Sequence, residues 1–367
     1  MEHITFISAG AGSGKTYRLT EILSERLATR RVRPEAVIAT TFTRKAAAGL
    51  TQRVRQRLIR DGHYVYANSI GQAYIGTVNS VCGQLLARYA FEAGLSPHLE
   101  VLGEQDDTVV FAQALDDAMS SEDIGRLNAI AQRLEIDGWR ATVQAIVALA
   151  RANDMPPEML PAQAERSLEE LFAYFPDPIE SDLDDALRDA VAQAIADIST
   201  NDDETKGTKT YLDLLHNSAH RIHQGRLTWS DWVRLAGRKP TRRSAPFAEP
   251  VAEAASRYDR HPGLHGDIRD WTRALFDLAA RAMNTYRMLK AERGVMDFVD
   301  QEHELLALLD NPDVASSIRE ELDLLLVDEF QDTSPIQLAV FIKLAALAKE
   351  CIWVGDIKQA IYGFRGS

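Results

Sequence analysis

The residues with the clearest chemistry stand near the two ends of the chain. Ser8 to Thr16 reads SAGAGSGKT, and Gly14-Lys15-Thr16 is the core of a phosphate-binding Walker A loop. In such a loop glycines let successive backbone N–H groups turn inward around an anion, so Ala11, Gly12, Ser13 and Gly14 are expected to cradle phosphates. Lys15 can reach the β and γ phosphates of a nucleoside triphosphate, and the Thr16 hydroxyl suits Mg2+. The strict pattern has glycine where this chain has Ala9, a small departure at a position where a small residue suffices. Far along the chain, Leu324 to Gln331 (LLLVDEFQ) ends an apolar run in two adjacent carboxylates, the Walker B arrangement. Asp328 is expected to hold the metal, directly or through water, and Glu329 to activate an attacking water. An acidic pair after an apolar run is a weak signal alone, because acids commonly begin loops. Paired with Lys15 it becomes a strong one.

These groups can meet only if strands carry them to one place. Ile4 to Ser8 is a short β-prone run, and Thr16 to Thr29 has helical apolar spacing at Leu19, Leu23 and Leu27. Val37 to Phe42 is a second β-prone run. Lys45 to Ile59 places Ala46, Leu50, Val54 and Leu58 on one helical face. A third strand is expected over Tyr74 to Thr77 and a helix over Val81 to Ala93. Strand–helix alternation of this kind implies a mostly parallel sheet. From residue 95 to about 290 the texture is helical, rich in Ala, Leu, Asp and Glu, and broken at Pro156–Pro157, Pro176–Pro178 and Pro262–Gly263. Residues 201–209 (NDDETKGTK) read as a mobile polar loop. The β texture returns at 322–328, followed by a helix over Pro335 to Ala348 and the run CIWVGD. A continuous apolar strand suits a sheet buried on both faces.

The expected fold class is therefore α/β, a P-loop nucleoside triphosphatase domain with a parallel sheet, interrupted by a large, mostly helical insertion. Its domains would be 1–94, the first part of the α/β domain; 95–290, the inserted domain; and 291–367, the second part.

Composition sets the bounds. The chain has 367 residues, 46% hydrophobic and 26% charged, an ordinary globular profile with room for two or three domains. No run of eighteen apolar residues occurs, so no membrane association is expected, and the N-terminus lacks the pattern of a secretory leader. Cys82 and Cys351 sit in no zinc or disulfide spacing, which fits a cytoplasmic location. The net charge is −13, yet Arg26 to Arg60 holds ten basic residues against one acid, Glu35. That asymmetry suits a polyanion track, or equally a solvated, Arg-rich helix face. His216, His220 and His223 have helical spacing, but no carboxylate completes an HExxH pattern and no cysteine is near, so a polar helix face is expected. Trp229 to Arg243 interleaves aromatic and basic residues. It could touch duplex DNA, or its tryptophans could anchor the inserted domain.

AGAGSGKT, TFTRKAA, LLLVDEFQDT and GDIKQAIYGFRG occur in this order, and they resemble motifs I, Ia, II and III of the UvrD/Rep group of superfamily 1 DNA helicases. YAFEAGLSP and MDFVDQEHELL resemble the RecB/AddA branch of that group. The resemblance covers about 1–100 and 291–367; the insertion is similar in position and texture to the subdomain called 1B.

The resemblance implies a RecA-like domain (1A) within an ATP-dependent DNA helicase or translocase of repair or recombination, moving 3′→5′. ATP and Mg2+ are the implied cofactors. Gln359 would sense the γ-phosphate and Gln331 would order the catalytic site beside Lys15 and Glu329. Phe42, Tyr362, Phe364 and Arg365 would contact single-stranded DNA, where bases stack on aromatic faces without regard to sequence. Thr41, Thr43, Arg44 and Lys45 would contact its backbone. Relatives often carry His and Phe where this chain has Asn79 and Val81, so Thr77 and Asn79 are expected to hydrogen-bond rather than stack. Single-stranded DNA and ss/ds junctions are the implied substrates. A second RecA-like domain, carrying motifs IV to VI and absent from this sequence, is the implied partner, and a nuclease is a further one. An arginine finger from that domain is worth about 10³–10⁵ in rate, so this chain alone is expected to hydrolyse ATP poorly. The rival readings are a non-motor P-loop switch and a DNA-binding component of a helicase–nuclease.

Overall fold

The computed structural model describes residues 4–8, 15–96 and 100–356. Seven strands occur among these residues: β1 (Ile4–Ser8), β2 (Val37–Thr41), β3 (Tyr74–Thr77), β4 (Glu100–Val101), β5 (Val295–Met296), β6 (Leu324–Asp328) and β7 (Glu350–Gly355). Five form one sheet in the order β1-β7-β6-β2-β3, and every neighbouring pair is parallel. The short strands β4 and β5 pair separately.

Alternation along the central strands explains why the sheet is covered on both faces. Val37 and Ala39 of β2, Leu324 and Leu326 of β6, and Ile352 and Val354 of β7 enter one apolar cluster. Their neighbours Ile38, Leu325, Val327 and Cys351 enter the other. The first cluster is completed by helices α1 (Lys15–Ala28) and α2 (Arg44–Arg60), through Leu19, Leu23, Leu27, Leu50, Val54 and Leu58. Helix α3 (Tyr64–Ser69) adds Ala67. The second receives α4 (Val78–Arg88) and the helices Phe298–Leu308, Pro312–Glu321 and Pro335–Leu347. Leu324 to Val327 are wholly buried, and each such side chain contributes about 1.5–3 kcal/mol relative to exposure.

Capping side chains set where the helices start. Thr43 accepts the Ala46 N–H and opens α2, so β2 stops at Thr41 and Phe42 falls in the turn rather than in the strand. Thr77 accepts the Ser80 N–H, which starts α4 at Val78, three residues earlier than apolar spacing indicated. Ser334 and Gln337 form a capping box ahead of Pro335.

The chain divides into two compact units. One contains the described residues of Met1–Gln113, Ala148–Pro156 and Tyr286–Ser367; the other is Ala114–Val147 with Pro157–Thr285. The second unit is helical, and its main core joins Leu183–Ser199, Lys206–His223, Trp229–Gly237 and Ala245–Ala255. The segment expected to be a mobile loop at 201–209 is instead anchored. Asp203 is buried and its carboxylate accepts hydroxyl bonds from Thr205, Thr208, Thr241 and Ser244, while a helix already begins at Lys206. A polar sequence read as solvated is thus held by a single satisfied acid. No helix among the described residues is long and apolar enough to cross a membrane.

Candidate active site

Parallel pairing aligns the strand ends. Ser8 pairs with Gly355, Asp328 with Val354, Thr40 with Val327, and Thr41 with Thr77. The carboxyl ends of all five strands therefore lie along one edge, where open parallel sheets bind ligands. Lys15 is the first residue of α1, while Asp328 ends β6, two positions from β1 along the sheet, and Glu329 follows it.

Across 314 residues the two ends of the sequence meet: Lys15 Nζ donates to Glu329 Oε2 at 2.6 Å, with both side chains largely covered. Glu329 takes φ 54° and ψ 44°, a left-handed backbone that costs on the order of 1–3 kcal/mol for a residue with a Cβ. That turn ends the strand and starts the short helix Phe330–Asp332. Gln331, buried, donates from Nε2 to the same Glu329 Oε2 at 2.7 Å and accepts the Asp356 backbone N–H on Oε1 at 3.1 Å. The Glu329 N–H in turn donates to Asp328 Oδ1 at 3.0 Å.

Asp328 and Thr16 both line an open cavity of about 580 Å3, walled further by Thr41, Thr43, Lys45, Gly49 and Arg53. Burial first, and then the adjacent Glu329 charge, push the Asp328 carboxyl up to about 6, against the pull of Lys15. A buried acid raised by a second carboxylate is in a setting that a divalent cation relieves. A hydroxyl and a carboxylate are the hard oxygen donors Mg2+ takes while keeping waters of its own. The residues present therefore fit a divalent cation, which Thr16 and Asp328 could hold from the protein's side.

The structure spreads the remaining expected residues unevenly. Phe42 is 41% exposed at the end of β2, and Arg44 and Lys45 are exposed on the first turn of α2. Thr41 is buried and donates its hydroxyl to the Thr43 carbonyl, while the Thr43 and Thr77 hydroxyls cap helices. Asn79 is half-buried, and its Oδ1 has no hydrogen-bond partner. Ala11, Gly12, Ser13, Gly14, Gln359, Tyr362, Phe364 and Arg365 lie outside the described residues. Part of the basic run from Arg26 to Arg60 is engaged internally: Arg26 pairs with Glu350, Arg33 with Asp323, and Arg57 with Glu21.

Two residues at the site escaped sequence reading. Phe330 packs edge-on to Phe6 at 5.0 Å and is stacked on Trp353 at 6.1 Å, joining the acidic turn to β1 and β7. Gly355 lies so close to that turn that a Cβ there would be 2.3 Å from Gln331 Oε1 and 2.4 Å from Phe330 Cδ1. The only sequence signal was the glycine at the head of GDIKQ, which has no partner until the fold supplies one. In the second unit, Trp229 donates to Asp267 and lies against Trp232 and His261, so it is an anchor of that unit's packing. His220, from the helically spaced histidines, pairs with Gln224.

Over residues 1–367 the sequence matches the family model described as UvrD/REP helicase N-terminal domain. It is similar to an ATP-dependent helicase/nuclease subunit of Pelotomaculum thermopropionicum, with 28% identity across 98% of this chain and 33% of that protein. The proteins of the same description from Listeria innocua and Streptococcus pneumoniae are 25% and 23% identical, each across 98% of this chain and 34% of their own length. The chain thus spans about a third of the length of these curated relatives.

Proposed function

The chain belongs to the UvrD/REP helicase family, matching its N-terminal domain, and from that premise we propose that it is the ATP- and single-stranded-DNA-binding portion of an ATP-dependent DNA helicase. In this reading residues 1–94 and 291–367 make a RecA-like domain, and 95–290 is a helical insertion within it. The observation that carries the proposal is the meeting of Lys15 with Glu329 beside Asp328 and Thr16, at the carboxyl edge of a parallel sheet.

Each residue then has a task. Lys15, with the N–H groups of Ala11 to Gly14, binds the phosphates, and the α1 N-terminus adds its positive end. Thr16 and Asp328 hold Mg2+, which supplies charge neutralisation at the phosphates. Glu329 accepts a proton from the attacking water, Gln331 orients Glu329, and Gln359 reports the γ-phosphate to Tyr362, Phe364 and Arg365. Phe42 stacks a base, and Thr41, Thr43, Arg44, Lys45, Thr77 and Asn79 meet the strand's backbone. Movement is 3′→5′ on DNA with ss/ds junctions, in repair or recombination, in the cytoplasm.

The relatives' names describe one component of a helicase/nuclease. By extension, this chain works with a second RecA-like domain and a nuclease-bearing partner. The test is DNA-stimulated ATPase of the longer protein containing this chain, against its Lys15→Ala variant. Strong stimulation lost in the variant supports a motor. Slow turnover indifferent to DNA supports a non-motor switch instead, and absence of turnover with DNA binding retained supports a purely structural, DNA-binding role.

A further inference from the structure

Glu302 is an interior carboxylate. It is 4% exposed, on the helix Phe298–Leu308, and its Oε1 accepts Gln337 Nε2 at 2.7 Å. Gln337 has a second task. Its Oε1 accepts the Ser334 N–H at 3.2 Å, in the capping box that starts the helix Pro335–Leu347. Ser334 follows the short helix of the acidic turn, and Thr333 between them donates its hydroxyl to the Phe330 carbonyl at 2.7 Å.

The helix Phe298–Leu308 also lies against α4. That contact is polar and tight. A Cβ on Gly83 would be 2.8 Å from Gln301 Nε2, and Gln301, buried, leaves its Oε1 without a hydrogen-bond partner. Burial first, and then the Glu302 charge, push the adjacent Cys82 thiol up, so Glu302 is felt on α4 as well. α4 is opened by Thr77 and carries Asn79 on its first turn, the two residues assigned above to the DNA backbone. An interior carboxylate and an amide oxygen without a donor both cost stability that apolar side chains would not. In exchange, a polar contact fixes one register between helices, where apolar side chains tolerate sliding.

Resting on the nucleotide and DNA reading above, we propose that Glu302 and Gln337 are positioning residues that couple the acidic turn to α4, so that nucleotide at one and single-stranded DNA at the other strengthen each other's binding. When phosphates and metal settle at Lys15, Asp328 and Glu329, a shift of the acidic turn carries Ser334 with it. Gln337 moves with the cap and draws Glu302. The helix Phe298–Leu308 then shifts against α4 at Gly83, and the first turn of α4 presents Thr77 and Asn79 to the strand. The same route serves DNA that arrives first, because a coupling free energy is equal from either end.

The experiment uses the longer protein containing this chain, with a non-hydrolysable ATP analogue plus Mg2+ and an oligothymidylate as probes. Each probe is titrated alone and with the other saturating. In the wild type each should tighten the other by a common factor of at least about fivefold. Glu302→Ala, Gln337→Ala and Gly83→Ala should bind each probe alone within about threefold of wild type, while the common factor vanishes. Glu302→Ala combined with Gln337→Ala should lose no more than either alone, since both remove one bond. Glu302→Gln, which keeps an acceptor for Gln337, should retain the coupling. Should an alanine variant fail to fold, Gln337→Met removes the same donor at similar shape.

Coupling intact in the alanine variants, or absent from a wild type that binds both probes, overturns the proposal. So does a parallel loss of both separate affinities and of the thermal midpoint, which would mark the contact as merely structural. A wild-type protein that fails to take up the ATP analogue or the DNA would instead strike the reading of the chain as ATP- and DNA-binding.

Discussion

A side chain on Gly355 would begin 2.3 Å from Oε1 of Gln331, so the end of β7 and the acidic turn after β6 are built against each other with no space to spare. Gly355 needs no unusual backbone angle; what it supplies is the absence of a Cβ. Gly355→Ala should therefore act by overpacking, lowering stability by about 1–3 kcal/mol. A urea unfolding midpoint measures this, and a shift indistinguishable from zero would mean that Gln331 and Phe330 can move aside.

Phe42 gives a separable prediction on the DNA side. It is exposed just beyond β2, whereas Arg44 and Lys45 begin α2. Phe42→Ala should weaken single-stranded DNA binding by about 1–3 kcal/mol with the salt slope unchanged, because a stacking contact releases no counterions. Arg44→Ala should instead lower the slope of log K against log salt by roughly 1. Both are read from titrations at several salt concentrations. The proposed DNA track fails if neither substitution alters binding.

Asp323 ties the start of β6 to two cations, receiving Arg33 and Lys349, and it is buried. Burial alone would raise its carboxyl, but the bonds from Arg33 and Lys349 prevail and hold it down to about 2. A folded value below the unfolded one, about 3.9, means stability present above pH 4 and lost as pH falls from about 4 to about 2. With the half-exposed cations discounted, the contribution at neutral pH is about 1–2 kcal/mol. Asp323→Asn should lower the unfolding free energy by that amount at pH 7, and the gap should close as pH drops to 2. A gap that persists at pH 2 would assign the effect to packing rather than charge.

Trp232 is 2% exposed in the core of the second unit, beside Trp229 and His261. Trp232→Ala should destabilise that unit by about 3–5 kcal/mol, the usual loss for a buried aromatic. Denaturation followed by tryptophan fluorescence checks this, and a loss under about 1 kcal/mol would contradict the anchoring role.

What the sequence disclosed follows the range of the forces involved. Leu324 to Val327 announced a doubly buried strand because burial demands an unbroken apolar run, and the spacing of Leu50, Val54 and Leu58 announced the buried face of α2. That Lys15 would meet Glu329 was foreseeable because the proposed phosphate and metal chemistry accepts few residue types. The helix starts at Thr43 and Thr77 depended on single hydrogen bonds, and apolar periodicity is blind to those. Asp203 looked like part of a solvated loop because its hydroxyl partners Thr241 and Ser244 are distant in sequence. Gly355 and Phe330 became intelligible only when β7 lay beside β6, since a steric requirement between strands leaves no local pattern.

Lys15 and the Asp328–Glu329 pair are proposed to hold a nucleotide together with its metal. Binding of a fluorescent ATP analogue with Mg2+ to the longer protein containing this chain, compared with Lys15→Ala and Asp328→Ala, tests it most directly. The expected result is saturable binding that weakens at least tenfold in Lys15→Ala, and an Asp328→Ala variant whose affinity no longer responds to Mg2+. Equal affinity in all three proteins, or no binding by the wild type, would contradict it.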